Sequence, residues 1–451
     1  MAVDRNQVPS PQKPTPFNFP RFERFTLSNG LQVLFAPHHK LPLVNLQMVV
    51  KSSALHDPDG KEGLVNLLAE MLLEGTEQRS SRQIADELER LGASYSADAD
   101  WNAVHIGLNL LKPNLDKGAE VFADIIRRSV FLPEEVERLR RELLVERLRA
   151  VDNPKKVAQE QFFHRIYKGY RYALPLEGTE ETLKAILRED IIRFYETHFN
   201  ASNATLIVVG DLTLAEAQGL AQKYFGDWPG GQTVSLSLLK AVEGVSARVT
   251  LVNKEGAAQS ELCLGHHGVD RHVPEYFALT LLNQIIGGYF LSRLNLKLRE
   301  ERGYTYGIHS NFFFRRLPGP FCVSAALQSE HTAEAIEEII DEIDRMTKET
   351  VEERELEQAK GYLSGMFPIA FETADQIAMG LGNIDLFDLP DDYYRTFRDN
   401  LAKVTVNDVL QAAQKYLKPK HLHIVLSGNG KILERQLKER FDVMVVEANG
   451  D

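Results

Sequence analysis

Asp190-Ile191-Ile192-Arg193-Phe194-Tyr195, leading through His198-Phe199 to Ala204-Thr205-Leu206-Ile207-Val208-Val209-Gly210, has a counterpart later in the same chain. There Asp408-Val409-Leu410 leads through Tyr416-Leu417 to Leu422-His423-Ile424-Val425-Leu426-Ser427-Gly428. Asp190 and Asp408 lie 218 residues apart, and so do Gly210 and Gly428. Glu135-Val136-Glu137-Arg138 pairs likewise with Glu355-Leu356-Glu357-Gln358 at an offset of 220. A unit of this length written twice implies two domains of like fold.

The pattern around the repeat gives each unit the same order. In the first, strands are expected over Phe25–Phe35, with a turn at Asn29-Gly30, and over Leu43–Lys51. In the second they fall at Arg248–Asn253 and Glu261–Gly265. Helices follow, then a strand pair (Trp101–Leu110 in one unit; Tyr304–Phe314 with Pro320–Leu327 in the other). Long amphipathic helices come next, at Pro133–Val151 and Val351–Ser364, and each unit closes on its apolar strand. Ser80 with Gln83 reads as a capping pair opening a helix through Ile84, Leu88 and Leu91. Strands and helices grouped without strict alternation predict an α+β fold: two homologous domains, each a mixed or antiparallel sheet with helices packed on one face. Pro229-Gly230-Gly231 marks the break. The expected divisions are a flexible segment over 1–21, a first domain over 22–228, a linker over 229–246 and a second domain over 247–445.

The net charge of −12 and the lack of a long Lys/Arg run argue against nucleic acid as a partner. Two cysteines, Cys263 and Cys322, exclude a disulfide framework and read as buried thiols. No stretch has the length and apolarity of a membrane span or a signal peptide, so the chain reads as soluble, in the cytoplasm or the periplasm, with no membrane partner. P-loop, dinucleotide and G-x-S-x-G signatures are absent, and so are C-x-x-C and H-E-x-x-H.

Two segments carry residues suited to chemistry. Gly63-Leu64-Val65-Asn66-Leu67-Leu68-Ala69-Glu70-Met71-Leu72-Leu73-Glu74-Gly75-Thr76 reads as an amphipathic helix ending at a glycine. Asn66 and Glu70 are one turn apart on one face. With Glu146 they offer two carboxylates and an amide, which lack the imidazoles zinc prefers and suit a hard cation only if further oxygens join. The plainer reading is that they face solvent. The second segment, Ile285-Ile286-Gly287-Gly288 through Arg299-Glu300-Glu301-Arg302-Gly303-Tyr304-Thr305-Tyr306-Gly307, reads as a glycine turn, a helix stopped at Gly303, and a strand. Arg299 near the helix end and Tyr306 on the strand are suitable donors to a peptide carbonyl or an oxyanion if they share a cleft. On spacing alone the plainer reading is that Arg299 pairs with an acid and Tyr306 packs.

Taken together, Thr26-Leu27-Ser28-Asn29-Gly30-Leu31-Gln32-Val33, Gly63–Thr76 and Leu282–Gly307 resemble the pitrilysin and mitochondrial processing peptidase family in its short, two-domain bacterial form. The resemblance spans about Phe22 to Val445. It implies a zinc-peptidase helix of pattern H-x-x-E-H, in which two histidines bind the metal and the glutamate activates water. Here Asn66 and Glu70 stand at the histidine positions and Ala69 at the base; Glu146, ahead of Asp152-Asn153-Pro154, stands at the third ligand. The chain therefore resembles the subunit that has lost the motif and holds no metal of its own, with zinc expected in a partner. The same resemblance assigns Arg299 and Tyr306 to an active site completed across the interface with a homologous H-x-x-E-H subunit. The heterodimer would enclose a peptide-sized chamber for peptides or unfolded chains, and a homodimer is the assembly open to the isolated chain. Gly287 and Gly288 stand where a relative has a longer, substrate-contacting glycine loop. Two other readings stay open: a structural or peptide-binding scaffold, and an independent hydrolase around Glu70 and Glu146.

Overall fold

The computed structural model describes residues 16–233 and 248–446. Residues 1–15 of the expected N-terminal segment and most of the expected linker, 234–246, lie outside the described residues. The strands are β1 (Glu23–Thr26), β2 (Gln32–Pro37), β3 (Leu43–Val50), β4 (Ser94–Ala99), β5 (Val104–Leu111), β6 (Ala204–Gly210), β7 (Arg248–Asn253), β8 (Gln259–His267), β9 (Thr305–Phe312), β10 (Pro320–Gln328), β11 (His423–Gly428) and β12 (Asp442–Val446). They form two six-stranded mixed sheets, ordered β1-β2-β6-β3-β5-β4 and β12-β7-β11-β8-β10-β9. The duplicated segment occupies the same place in both. β6 lies parallel to β2 and antiparallel to β3, and β11 lies parallel to β7 and antiparallel to β8. Only the outermost strand differs in origin, since β1 starts the first unit and β12 ends the second.

Local signals explain the boundaries. The turn joining β1 to β2 places Gly30 at φ 93°, where only glycine is unstrained. Asn29 ties that turn to the end of the unit by donating to the carbonyls of Phe225 (2.7 Å) and Trp228 (2.8 Å). Ser80 and Gln83 close the expected reciprocal cap. One expectation shifts: residues 101–103 turn between β4 and β5 rather than begin a strand. Asp100 holds that turn by accepting from the N–H groups of Asn102 and Ala103. β4, Ser-Tyr-Ser-Ala-Asp-Ala, is an edge strand with no fully buried residue, so it lacks the apolar signature of its neighbours.

Each unit's own helices cover one face of its sheet, where Val33, Phe35, Leu46, Met48, Leu206 and Val208 point. The opposite face is covered by a single helix from the other unit. Helix Ala374–Leu386 of the second unit lies on β3 and β6, its Ile377, Leu381 and Ile384 against Leu34, Val49, Ile207 and Val209. Helix Pro154–Ile166 of the first unit lies on β8 and β11, with Ala158, Phe162 and Ile166 against Cys263 and Val425. This double cover is why β6 is an unbroken apolar run, buried at every position. Buried Asp385 adds a polar pin between the units, pairing with Arg24 (3.0 Å) and Lys51 (2.9 Å) and accepting from Thr205 (2.7 Å). Both cysteines are free; Cys263 is buried as expected, whereas Cys322, on β10, is only half-buried. Among the described residues no helix is long and apolar enough to cross a membrane.

His266 on β8 is held neutral. Its Nδ1 bonds the carbonyl of His267 (2.9 Å) and its Nε2 accepts from the N–H of Lys418 (3.2 Å), while burial lowers its pKa to about 4. Protonation at Nε2 would set two donors against each other.

Two predictions follow from this packing. Leu381→Ala should cost about 2–5 kcal/mol in denaturant unfolding, because it leaves a cavity under the exchanged helix. The His266 contribution is complete above its unfolded pKa of 6.5 and is lost as pH falls through about 4. Urea midpoints should therefore fall across that interval, with a shallower slope in His266→Asn.

Candidate functional site

Asn66, Ala69 and Glu70 sit on helix Leu64–Met71. Gly63 opens the helix at φ 96°, so close to Glu177 that a Cβ would lie 2.6 Å from its carbonyl oxygen. The Asp57 carboxylate caps the start, accepting from the N–H groups of Gly63 and Val65 (both 2.9 Å) and pairing with Arg171 (3.0 Å). Burial pushes the Asp57 carboxyl up to about 6, against the pull of Arg171 and those two donors. Leu64, Val65, Leu67, Leu68 and Met71 fill the core, and Ala69 joins them, 1 % exposed. Asn66 and Glu70 share the open side, as the helical spacing predicts.

There Asn66 Nδ2 donates to Glu70 Oε1 at 3.0 Å. Burial raises the Glu70 carboxyl above its usual range; Glu146, Glu142 and Asp98 add to the effect, and the Asn66 amide opposes it. Glu146 is on the exposed side of helix Pro133–Asp152. These residues do not fit zinc. Among the described residues Glu70 is bonded by the Asn66 amide and by no imidazole, and the position that the resemblance gives to the base is an apolar core residue. Among the described residues no group of three or more His, Cys, Asp or Glu side chains is arranged to hold a metal.

The second segment is built differently from the expected helix. Helix Tyr276–Asn283 runs into a π-helical turn at Gln284–Gly288, and a second π-helical turn, Asn295–Glu301, carries Arg299. Such widened turns are rare and concentrate at functional sites. Gly303, at φ 68°, stops the second turn and β9 follows. Gly287 lies hard against β9, where a Cβ would sit 2.8 Å from Ser310 N, and a Cβ at Gly288 would meet Gln284 Oε1 at 2.9 Å. These glycines therefore have a packing role in the chain itself.

The Arg299 guanidinium lies 4.1 Å from the centroid of exposed Phe290 and 3.7 Å from the exposed Glu300 carboxylate, a pair of little energetic weight. Tyr306, on the edge strand β9, is 93 % exposed and has no hydrogen-bond partner among the described residues. The packed-tyrosine reading is thus not the one observed. No hydrogen bond or ring contact joins Arg299 to Tyr306; what they share is the edge formed by β9 and the turn packed on it.

Two residues that sequence reasoning passed over hold this edge. Asn295 donates to the carbonyls of Tyr289 (3.2 Å) and Ile308 (2.8 Å) and accepts from Ile308 N–H, binding the π turn to β9. Arg293 bridges buried Glu342 (2.9 Å) and Glu355 (2.7 Å). Polar residues alternate with leucines through Leu291–Leu298, so the sequence did not single these two out.

Residues 32–180 match the family model described as Insulinase (Peptidase family M16), and residues 185–363 match that of the Peptidase M16 inactive domain. The chain belongs to peptidase family M16. This is the pitrilysin-like family that the motifs resemble. The M16 chain is 28% identical over 352 residues to a Rickettsia bellii protein named an uncharacterized zinc protease, covering 77% of this chain and 83% of that one. It is 23% identical to a Helicobacter pylori zinc protease, PqqE, over 88% and 91% of the two chains. A solved peptidase M16 inactive domain from Pseudomonas fluorescens superposes with a TM-score of 0.85 at 25% identity, covering 90% of this chain and 98% of that one. A solved Helicobacter pylori protease shares the fold at the same TM-score, with 21% identity over 91% and 100% of the chains.

The raised Glu70 carboxyl fixes the sign of one prediction. A carboxyl whose folded pKa exceeds its unfolded value weakens the fold while ionised, at neutral pH. Glu70→Gln keeps an acceptor for Asn66 and removes the repulsion, so calorimetry at neutral pH should show a higher Tm. A lower Tm, accompanied by loss of a bound divalent ion, would mean that the carboxylate serves a metal.

Proposed function

We propose that this M16 chain is the zinc-free subunit of a heterodimeric metallopeptidase, presenting Arg299 and Tyr306 to an active site completed by a homologous H-x-x-E-H partner. The observation that carries the reading is Tyr306, a phenol left 93 % exposed on an edge strand, beside an arginine stacked on a ring rather than committed to a strong ion pair. A tyrosine with no packing duty fits a role outside its own chain.

Zinc and the hydrolytic water belong to the partner in this reading. The residues of this chain bind and orient. The Arg299 guanidinium donates to a substrate carbonyl, and the Tyr306 hydroxyl donates to the oxygen on which charge develops as the peptide bond is attacked. Gly287 and Gly288 let the first π turn sit tight on β9 and bring substrate backbone close to that edge. Asn295 and Arg293 act as positioning residues. Substrates are peptides or unfolded segments, since a chamber closed by two such subunits excludes folded proteins. The division of the chain at 229–246 leaves each unit with its own sheet.

The test is the mixed pair with an H-x-x-E-H homologue from the same source. Tyr306→Phe and Arg299→Met should each lower kcat by roughly 10- to 1000-fold, the scale of losing one preorganised donor, with co-elution of the pair unchanged. Full activity in both variants would leave the scaffold reading in possession of the data.

A further inference from the structure

A cavity of about 860 Å³ opens between the two units beside the turn at Trp101, walled largely by rings including Phe312, Phe371, Tyr393 and Tyr394. Two arginines stand in this wall. Arg271 is 9 % exposed, its guanidinium 3.6 Å from the centroid of Tyr276 and 5.0 Å from that of Tyr393. Arg315 is 8 % exposed, 4.7 Å from Tyr172 and 5.2 Å from Trp101. It also borders a second cavity of about 340 Å³ on its other side. The two are joined through the main chain, Arg271 N–H donating to the Arg315 carbonyl at 2.9 Å.

Among the described residues neither arginine forms an ion pair, and Arg315 Nη1 is buried without a hydrogen-bond partner. The Tyr172 and Tyr167 phenols and, least, Asp100 act on Arg315, but burial pushes Tyr172 up to about 12 and raises Tyr167 also, so both phenols stay uncharged, and the Asp100 carboxylate is engaged by the N–H groups of Asn102 and Ala103 and by His105 at 3.7 Å. Burial accordingly pulls the Arg315 pKa down. Ring faces return part of the hydration a buried guanidinium loses, and a counter-charge returns the rest. The planar fork of arginine matches a carboxylate. An apolar wall with a few convergent polar groups, in this size range, is how small-ligand pockets are built.

We propose that this cavity binds an organic carboxylate with an aromatic or aliphatic body, its head on Arg271 and Arg315 and its body along the ring wall. The site is independent of Arg299 and Tyr306 and stands whether or not they act in catalysis. The same chemistry has two sources: the C-terminal carboxylate of a peptide ending in an apolar residue, or a free fatty or aryl acid.

Titration calorimetry on the full chain tests this with four probes: decanoate, 3-phenylpropionate, and a short phenylalanine-terminated peptide as the free acid and as its C-terminal amide. Trp101 reports in parallel by fluorescence in a Trp228→Phe background, where it is the only tryptophan. The expected result is saturable one-site binding of an acid, at least about tenfold tighter than its uncharged counterpart, with a change in Trp101 emission. Arg271→Gln and Arg315→Gln should each weaken it by about tenfold or more, the scale of one charge-assisted pair. Should Arg315→Gln not fold, Arg271→Gln carries the test. Peptide acids binding alone identify a peptide C-terminus as the ligand, and decanoate or phenylpropionate alone a free acid. No binding of any acid, equal binding of acid and amide, or wild-type affinity in the arginine variants overturns the proposal.

Discussion

The structure rests on an exchange of helices. A sheet has two faces, and an apolar face left in water is costly. Each unit here covers one face with its own helices and leaves the other to a helix from its twin: Ala374–Leu386 on the first sheet, Pro154–Ile166 on the second. The exchange makes the central strands apolar on both sides and draws Asp385 into a buried cluster with Arg24, Lys51 and Thr205. It also brings the turn at Trp101 against the second unit, which is where the ring-walled cavity forms.

Much of this was legible in the sequence where a signal is local. The Asn29-Gly30 turn, the Ser80–Gln83 cap and the glycine stop at 303 each depend on a few neighbouring residues, the duplication shows as a fixed 218-residue offset between short matches, and each lies where it was read. β4 was missed because an edge strand buries little and its small polar residues leave no apolar stripe. The exchange itself was beyond reach. Pro-Lys-Lys-Val-Ala-Gln-Glu-Gln-Phe-Phe-His-Arg-Ile reads as a helix with a modest apolar side, and nothing in it says which sheet it will cover. Helices were expected on one face of each sheet; the unbroken apolar run of β6 is explained by the second cover, which the exchanged helix supplies.

The candidate site divides the same way. That Asn66 and Glu70 share a face follows from helical spacing, and so does the incompatibility with zinc, since donor types are written in the residues. The state of Tyr306 was not so written. Whether a tyrosine on a strand packs or stands free depends on what lies across from it, and β9 turned out to be an edge. The arginine cavity was invisible for a related reason: Trp101, Arg271, Arg315 and Tyr393 come together only when the units dock. Membership of family M16 accounts for the shared architecture and the name zinc protease among relatives, while Asn66, Ala69 and Glu70 differ from the H-x-x-E-H pattern.

Ala69 has a consequence in evolutionary terms. The position where the resemblance puts a water-activating glutamate is now sealed into the core. A carboxylate restored there, with neither metal nor imidazole beside it, would be a buried unpaired charge costing several kcal/mol. Histidines placed at 66 and 70 without it would lack the base. No single substitution at 66, 69 or 70 assembles the H-x-x-E-H set, so the step between the two patterns is a wide one: each intermediate carries the cost of the change without the chemistry.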